Sequence, residues 1–310
     1  MAAVRDDGCD PVLSAVLVTG AGGFAGSHLV ELLAKSGVSV TGWRRQDVDL
    51  LDSKAVAEAL ASLRPSAVYH CAGAAHVGQA WMDAGKTLAA NVLGTHHLLD
   101  GLRVVGLRAR VLIPGSSLVY RQSDRALTEE DPTGPTSPYA LSKLAQEMLG
   151  RRGIDEDGQD VFLTRSFNHT GARQAPSYAA PGFARQIALI EAGRIEPTLE
   201  VGNLEAARDL TDVRDIVRAY RDILERGRPG TVYNVCSGKA YKIRELLERL
   251  VAMSRVPLEI RVNPTRYRPN DTPVLLGNPT RLERETGWKP AIPIDQMLSD
   301  LLDYWRKELK

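Results

Sequence analysis

The sequence predicts an α/β protein: a doubly wound parallel sheet with a smaller mixed α/β domain attached. Three observations lead there. Strand-like apolar runs alternate with helical patterns. A glycine-rich turn joins the first strand to the first helix. After Arg165 the composition shifts toward Gly, Pro, Asn and Arg, with little regular patterning.

The first run, Ala15-Val16-Leu17-Val18-Thr19, is short, apolar and rich in β-branched residues, so it reads as a buried strand. Gly20-Ala21-Gly22-Gly23-Phe24-Ala25-Gly26 follows, and then the helical spacing of Leu29, Val30, Leu32 and Leu33. Glycines 20, 23 and 26 between a strand and a helix form a dinucleotide fingerprint in its required context. Gly20 permits the tight turn, Gly23 lets the backbone approach a pyrophosphate, and Gly26 lets the helix pack close to the sheet. Phe24 and Ala25 open that helix, whose N–H groups and positive dipole end face the phosphates. This makes the sheet Rossmann-type.

Further strands are expected at 38–43, 67–71, 111–114, 161–165 and 232–235, with helices near 27–35, 53–63, 86–105 and 138–151. The acidic stretch 153–159 reads as a loop. Beyond it lie helical patterns near 182–192, 212–226 and 242–254, a Pro-rich segment at 264–279, and an amphipathic helix from about 293. The expected organisation is a dinucleotide-binding domain at 1–166, to which 211–237 returns, and a substrate domain made of 167–210 and 238–310. A ligand should lie outside the carboxyl ends of the strands, between the domains.

Ser137-Pro138-Tyr139-Ala140-Leu141-Ser142-Lys143 carries the chemistry. Ser137 suits a helix N-cap and Pro138 the first helical position. Tyr139 and Lys143 then share one face. An ammonium near a phenol favours the phenolate, so this pair can exchange a proton with a substrate oxygen near neutral pH. Ser116 and Ser117 follow the strand at 111–114, where catalytic groups should gather.

The formal net charge of +1 gives no reason to expect nucleic acid or a membrane surface as partner. No apolar stretch is long enough to cross a bilayer. Residues 1–14 read as a loose tail without an apolar signal core. Cys9, Cys71 and Cys236 are odd in number and scattered, which implies free thiols and a cytoplasmic home. Cys71 and Cys236 follow apolar runs and are expected to be buried. The six histidines form no metal set, so no metal is expected.

These segments together resemble the extended short-chain dehydrogenases/reductases, the family of nucleotide-sugar epimerases, dehydratases and reductases. The resemblance runs through Val18–Gly26, Asp49-Leu50, His70–Gly73, Asn91–Thr95, Gly115–Tyr120, Ser137–Lys143 and Arg165–Asn168, in family order. It implies that Ser116 is the catalytic hydroxyl, with Ser117 the lesser choice. Tyr139 would be the proton donor, and Lys143 would hold the nicotinamide ribose and lower the Tyr139 pKa. Asp49 and Leu50 would be adenine contacts. It also implies a homodimer through the helices near 88–104 and 139–150.

Within the family, residues 168–174, 202–205 and 208–215 and Arg268-Pro269-Asn270-Asp271 resemble enzymes acting on GDP-mannose derivatives. Phe183–Ile187 looks more like the GDP-4-dehydro-6-deoxymannose reductases, since the dehydratases tend to carry Lys where Gln186 stands. The dehydratases also carry an acid two residues before the tyrosine of Val119-Tyr120; here that position is Leu118, which cannot move a proton. The resemblance implies NADPH-dependent reduction of the C4 ketone of a GDP-4-keto-6-deoxy sugar. A 4-epimerase, a GDP-mannose 4,6-dehydratase and a non-catalytic nucleotide-sugar binder are the alternatives. Asn168, Arg185, Asn203, Arg208 and Arg268 are the expected substrate contacts; arginine suits phosphate and Asn suits a base edge. Arg173, Arg185 and Arg214 are open between ligand and surface roles. Trp43-Arg44-Arg45 ends the second strand where NAD sites usually place an acid, and Arg44 can accept a 2′-phosphate. NADP(H) is therefore favoured, with NAD(H) left open because Asp47 could supply the acid.

Overall fold

The computed structural model describes residues 15–266 and 273–310. In chain order its strands are β1 (Val16–Thr19), β2 (Val40–Trp43), β3 (Ala67–His70), β4 (Arg110–Ser116), β5 (Asp160–Ser166) and β6 (Asn168–Thr170). They continue with β7 (Thr198–Val201), β8 (Ala207–Asp212), β9 (Val232–Val235), β10 (Ala240–Lys242), β11 (Glu259–Val262) and β12 (Val274–Leu275). The helices are α1 (Phe24–Lys35), α2 (Ser53–Leu63), α3 (Val77–Met82), α4 (Ala84–Leu88), α5 (Gly94–Val104) and α6 (Pro138–Asp155). After them come α7 (Ala179–Glu191), α8 (Val213–Arg226), α9 (Ile243–Ala252), α10 (Thr280–Thr286) and α11 (Ile294–Glu308).

The central sheet has six strands in the order β2-β1-β3-β4-β5-β9, every pair parallel. The fold is the doubly wound parallel α/β architecture read from the sequence, and its six strands are the six apolar runs named above. Both faces of the sheet are covered, so the inner strands read as nearly continuous buried runs rather than alternating. Val16, Val18, Tyr69, Leu112 and Phe162 pack with Leu29 and Leu33 of α1 and Ile216 and Tyr220 of α8. On the other face, Leu17, Val68, Val111 and Ile113 pack with Val56 and Leu60 of α2 and Leu98 and Leu102 of α5.

A separate apolar cluster joins Phe183 and Ile187 of α7, Leu199 and Val201 of β7, Leu246 and Leu250 of α9, and Leu298 and Leu301 of α11. Beside it β10, β8 and β12 form a small sheet to which β6 adds, and β11 pairs with β7. These strands went unread because each is two to six residues long in Gly- and Pro-rich sequence. The helical pattern near 86–105 resolves into α4, a π-helical turn at Ala89–Leu93, and α5. Helix α6 also runs past the expected loop start at Gly153, which is buried. Cys236 is buried as expected, whereas Cys71 is half-buried; both are free thiols.

Among the described residues, no helix is long and apolar enough to cross a membrane. No group of three or more His, Cys, Asp or Glu is arranged to hold a metal ion there.

Candidate active site

The turn after β1 is built by what its glycines lack. Gly20 has φ +67°, a left-handed conformation open to glycine at little cost. A Cβ on Gly26 would lie 2.2 Å from the Gly20 carbonyl oxygen. Gly26 therefore lets α1 press against the turn itself, a closer approach than the helix–sheet packing the spacing suggested. Gly23 caps α1 with no side-chain hydrogen bond to the first N–H groups. That bare N-terminus, behind a turn no side chain fills, fits a dinucleotide pyrophosphate.

Arg44 flanks this turn. It lines a cleft of ≈ 430 Å³ together with Ala21, Gly22, Gly23, Phe24, Ser27 and Arg173. The Asp47 carboxylate accepts from the Arg44 N–H at 2.8 Å. Asp47 thus serves the turn after β2, and Arg44 is the residue that faces the cleft. Asp49 accepts from Leu51 N at 3.0 Å, and the Leu50 carbonyl meets His97 Nδ1 at 2.8 Å. Arg173 adopts φ +72°, and its guanidinium is held by Glu31 and by His28 Nδ1 at 2.8 Å. The other His28 nitrogen, Nε2, donates to Ala172 O at 2.9 Å. Arg214 is spent on Asp212 and Asp300, each at 2.7 Å, which gives it a structural role.

The proposed catalytic side chains meet at the carboxyl ends of β4 and β5. Ser137 caps α6 by accepting from Ala140 N at 3.1 Å, with Pro138 at the first helical position. Tyr139, Lys143 and Glu147 then follow at helical spacing on the buried face. Ser116 closes β4 and accepts from Leu118 N at 3.2 Å, with its hydroxyl beside the Tyr139 phenol. Ser117 opens the short 3₁₀ turn that follows.

Burial pushes the Tyr139 phenol up to about 12, opposed by the neighbouring Ser116 hydroxyl. This corrects the expectation that Lys143 lowers it. The Lys143 ammonium donates to Pro114 O at 3.0 Å, and burial brings its own pKa down to about 8. A phenol kept protonated at neutral pH is a proton donor, the form that reduction of a ketone requires.

Behind this centre runs a buried polar chain. Thr95 Oγ1 donates to Asn91 O at 2.6 Å and accepts from Gln146 Nε2 at 2.6 Å. With that proton spent, His70 Nε2 is the donor to Thr95 at 2.9 Å, and His70 Nδ1 accepts from Thr19 at 2.9 Å. Burial lowers the His70 pKa to about 3, so the ring is neutral. The π-helical turn swings Asn91 out to bond Ala74 and Ser142, tying the loop after β3 to α6.

A second cleft of ≈ 400 Å³ starts at Asn168, just past β5, and runs to Glu200, Asn203, Arg208 and Leu246. Asn168, Asn203 and Arg208 line it as expected. Arg185 does not: its guanidinium lies 5.8 Å from the Trp305 ring centroid on α11. Neighbouring residues on a helix diverge, and Phe183 and Gln186 take the cleft side instead. Arg268 lies outside the described residues. Gln186 spends its amide on the β7 backbone, with Nε2 donating to Glu200 O at 3.1 Å and Oε1 accepting from Glu200 N at 3.0 Å. A lysine there could not accept the second bond.

Sequence reasoning missed Tyr178 and Glu200. Tyr178 lines the cleft near Tyr139 and donates to Ala75 O at 3.2 Å, across from His76. Its signal was only an aromatic beside Pro176, and nothing in the pattern tied it to the distant loop 71–76. Leu118, at the position of the dehydratase acid, packs against the cluster of Tyr120, Leu127, Phe167, Cys236 and Leu275.

The family described as GDP-mannose 4,6 dehydratase matches residues 46–301. The GDP-6-deoxy-D-mannose reductase of Pseudomonas aeruginosa is 39% identical over 302 residues, covering 95% of this chain and 98% of that protein. The GDP-mannose 4,6-dehydratase of Vibrio cholerae is 25% identical, covering 92% of each. A solved structure of RMD from Pseudomonas aeruginosa complexed with NADPH superposes with TM-score 0.88 at 37% identity, over 95% of this chain and 99% of that one. The Thermus thermophilus UDP-glucose 4-epimerase complex with NAD gives TM-score 0.83 at 27% identity, over 94% of this chain and 99% of the other.

Proposed function

Because this chain belongs to the GDP-mannose 4,6-dehydratase family of extended short-chain dehydrogenases/reductases, we propose that it is an NADPH-dependent reductase of the C4 ketone of a GDP-4-keto-6-deoxy sugar. The observation that carries the reading is Leu118, an apolar packed side chain where dehydration needs a base, beside an intact Ser116/Tyr139/Lys143 set. The likeness to the Pseudomonas reductase across nearly the whole of both chains supports it.

Bound NADPH supplies the hydride. The turn Gly20–Gly26 and the α1 N-terminus hold its pyrophosphate, Arg44 its 2′-phosphate, Asp49 and Leu50 its adenine, and Lys143 its nicotinamide ribose. Ser116 hydrogen-bonds the ketone oxygen and orients it. Tyr139 donates the proton to that oxygen as it becomes the hydroxyl. Asn168, Asn203 and Arg208 hold the nucleotide sugar, with Arg208 on the diphosphate and Asn203 on the base edge. Residues 1–166 and 211–237 serve the cofactor, and 167–210 and 238–310 the sugar nucleotide. Exposed Leu93, Leu141 and Met148 on the π-helical turn and α6 support a homodimer through that face, and the free thiols support a cytoplasmic home.

The test is incubation with GDP-4-keto-6-deoxymannose and NADPH. One NADPH should be consumed per product, identified as a GDP-6-deoxyhexose. With GDP-mannose and NADP the protein should release no 4-keto-6-deoxy product, because the C5 proton has no base at Leu118. Rapid dehydration would overturn the reading, and turnover without net cofactor use would favour an epimerase.

A further inference from the structure

Arg165 lies on β5 beside Gly115, one residue from the Ser116–Ser166 pair in the β4–β5 register. It is 5% exposed, and its guanidinium has two separate holds. On one side it grips Glu147 of α6 bidentately, Nε to Oε2 at 2.9 Å and Nη2 to Oε1 at 2.9 Å. Glu147 stands four residues past Lys143 and eight past Tyr139, on the same buried face. On the other side the guanidinium lies 4.6 Å over the Tyr120 ring. Tyr120 ends the turn that begins at Ser116, and its hydroxyl donates to Asn234 Oδ1 at 2.7 Å. Nη1 adds a bond to Glu129 O at 3.2 Å.

A surface ion pair would need none of this. One buried planar cation ties the helix that carries Tyr139 and Lys143 to the turn that carries Ser116. The Ser116 hydroxyl and the Tyr139 phenol must share one substrate oxygen, so their separation decides the rate. We propose that Arg165 is a positioning residue for the reaction, holding Glu147 and Tyr120 so that the Ser116 hydroxyl and the Tyr139 phenol keep their spacing. The inference rests on the reductase reading above. Lysine cannot replace arginine here, because it lacks both the bidentate fork and the planar face.

The experiment compares R165K, S116A and the double variant R165K/S116A in NADPH-dependent reduction of GDP-4-keto-6-deoxymannose. R165K should lower kcat by ~10–100-fold while KM and the NADPH Kd stay within about twofold, as expected when geometry rather than binding is lost. In the S116A background the same change should cost under about threefold, because the group being positioned is gone. A structural role would give the same factor in both backgrounds, and that result overturns the proposal. So does an R165K enzyme with wild-type kcat. If R165K does not fold, Y120L and Y120F replace it in the same cycle. Y120F keeps the ring and should retain most of the rate that Y120L loses; equal rates for the two overturn the proposal. A wild-type protein that does not reduce the ketone refutes the reductase reading, and this inference with it.

Discussion

Tyr139 and Lys143 show how one environment moves two groups in opposite directions. Burial disfavours charge on both, raising the phenol to about 12 and lowering the ammonium to about 8. In the reductive direction Tyr139 must be protonated, and it stays so across the neutral range. Lys143 loses its charge as pH rises through about 8. Turnover should therefore fall on the alkaline side with a midpoint near 8, and Lys143→Met should remove that limb from the pH–rate profile at a lower overall rate. Tyr139→Phe should cost ~10²–10⁴-fold in kcat with the NADPH Kd nearly unchanged, measured by fluorescence titration. Arg44 is testable on the same instrument: Arg44→Ala should weaken NADPH far more than NADH. Equal losses for both cofactors would assign Arg44 a structural role in the turn after β2.

At the scale of elements, α1 and α6 carry the candidate site: α1 starts just past the end of β1, and α6 brings Tyr139 beside Ser116 at the end of β4. The start of α6 was legible from Ser137 and Pro138, since capping chemistry is local. The start of α1 was legible from glycine spacing, but the reason for Gly26 was not, because its neighbour is a carbonyl six residues back in the same turn. Gly26→Ala would put a Cβ 2.2 Å from that oxygen. It should cost ~1–3 kcal/mol in stability by overpacking and abolish dinucleotide binding, as read by denaturant unfolding with and without NADPH. The π-helical turn at Ala89–Leu93 was not legible. Its helical residues look ordinary in sequence, and only bonds to Ala74 and Ser142 show why Asn91 must swing out.

For the whole molecule, the apolar residues that the fold leaves in solvent are informative. Leu93 and Leu141 are about half exposed, and Met148 is 63% exposed, all on the π-helical turn and α6. A two-fold axis through that face would bury them, and two-fold pairing is the commonest assembly. The protein should sediment as a dimer, and Leu141→Glu with Met148→Glu should shift it to a monomer. A wild-type monomer at all concentrations would remove the dimer while leaving the chemistry untouched.

The sequence by itself determined the parallel sheet, the glycine turn and the Tyr139/Lys143 pair on one helical face. Each rests on a local signal: a buried β-branched run, glycines at a fixed spacing, a capped helix start. The family resemblance pointed to Leu118, because a missing acid at a family position is visible without coordinates. Tertiary structure alone decided what depends on residues far apart in the chain. It turned Arg185 onto Trp305, set Tyr178 against Ala75, closed Arg214 onto Asp300, and bridged Glu147 and Tyr120 through Arg165. It also set the sign of the Tyr139 shift. Proximity of a lysine in sequence says nothing about burial, and at this site burial outweighs every charge near the phenol.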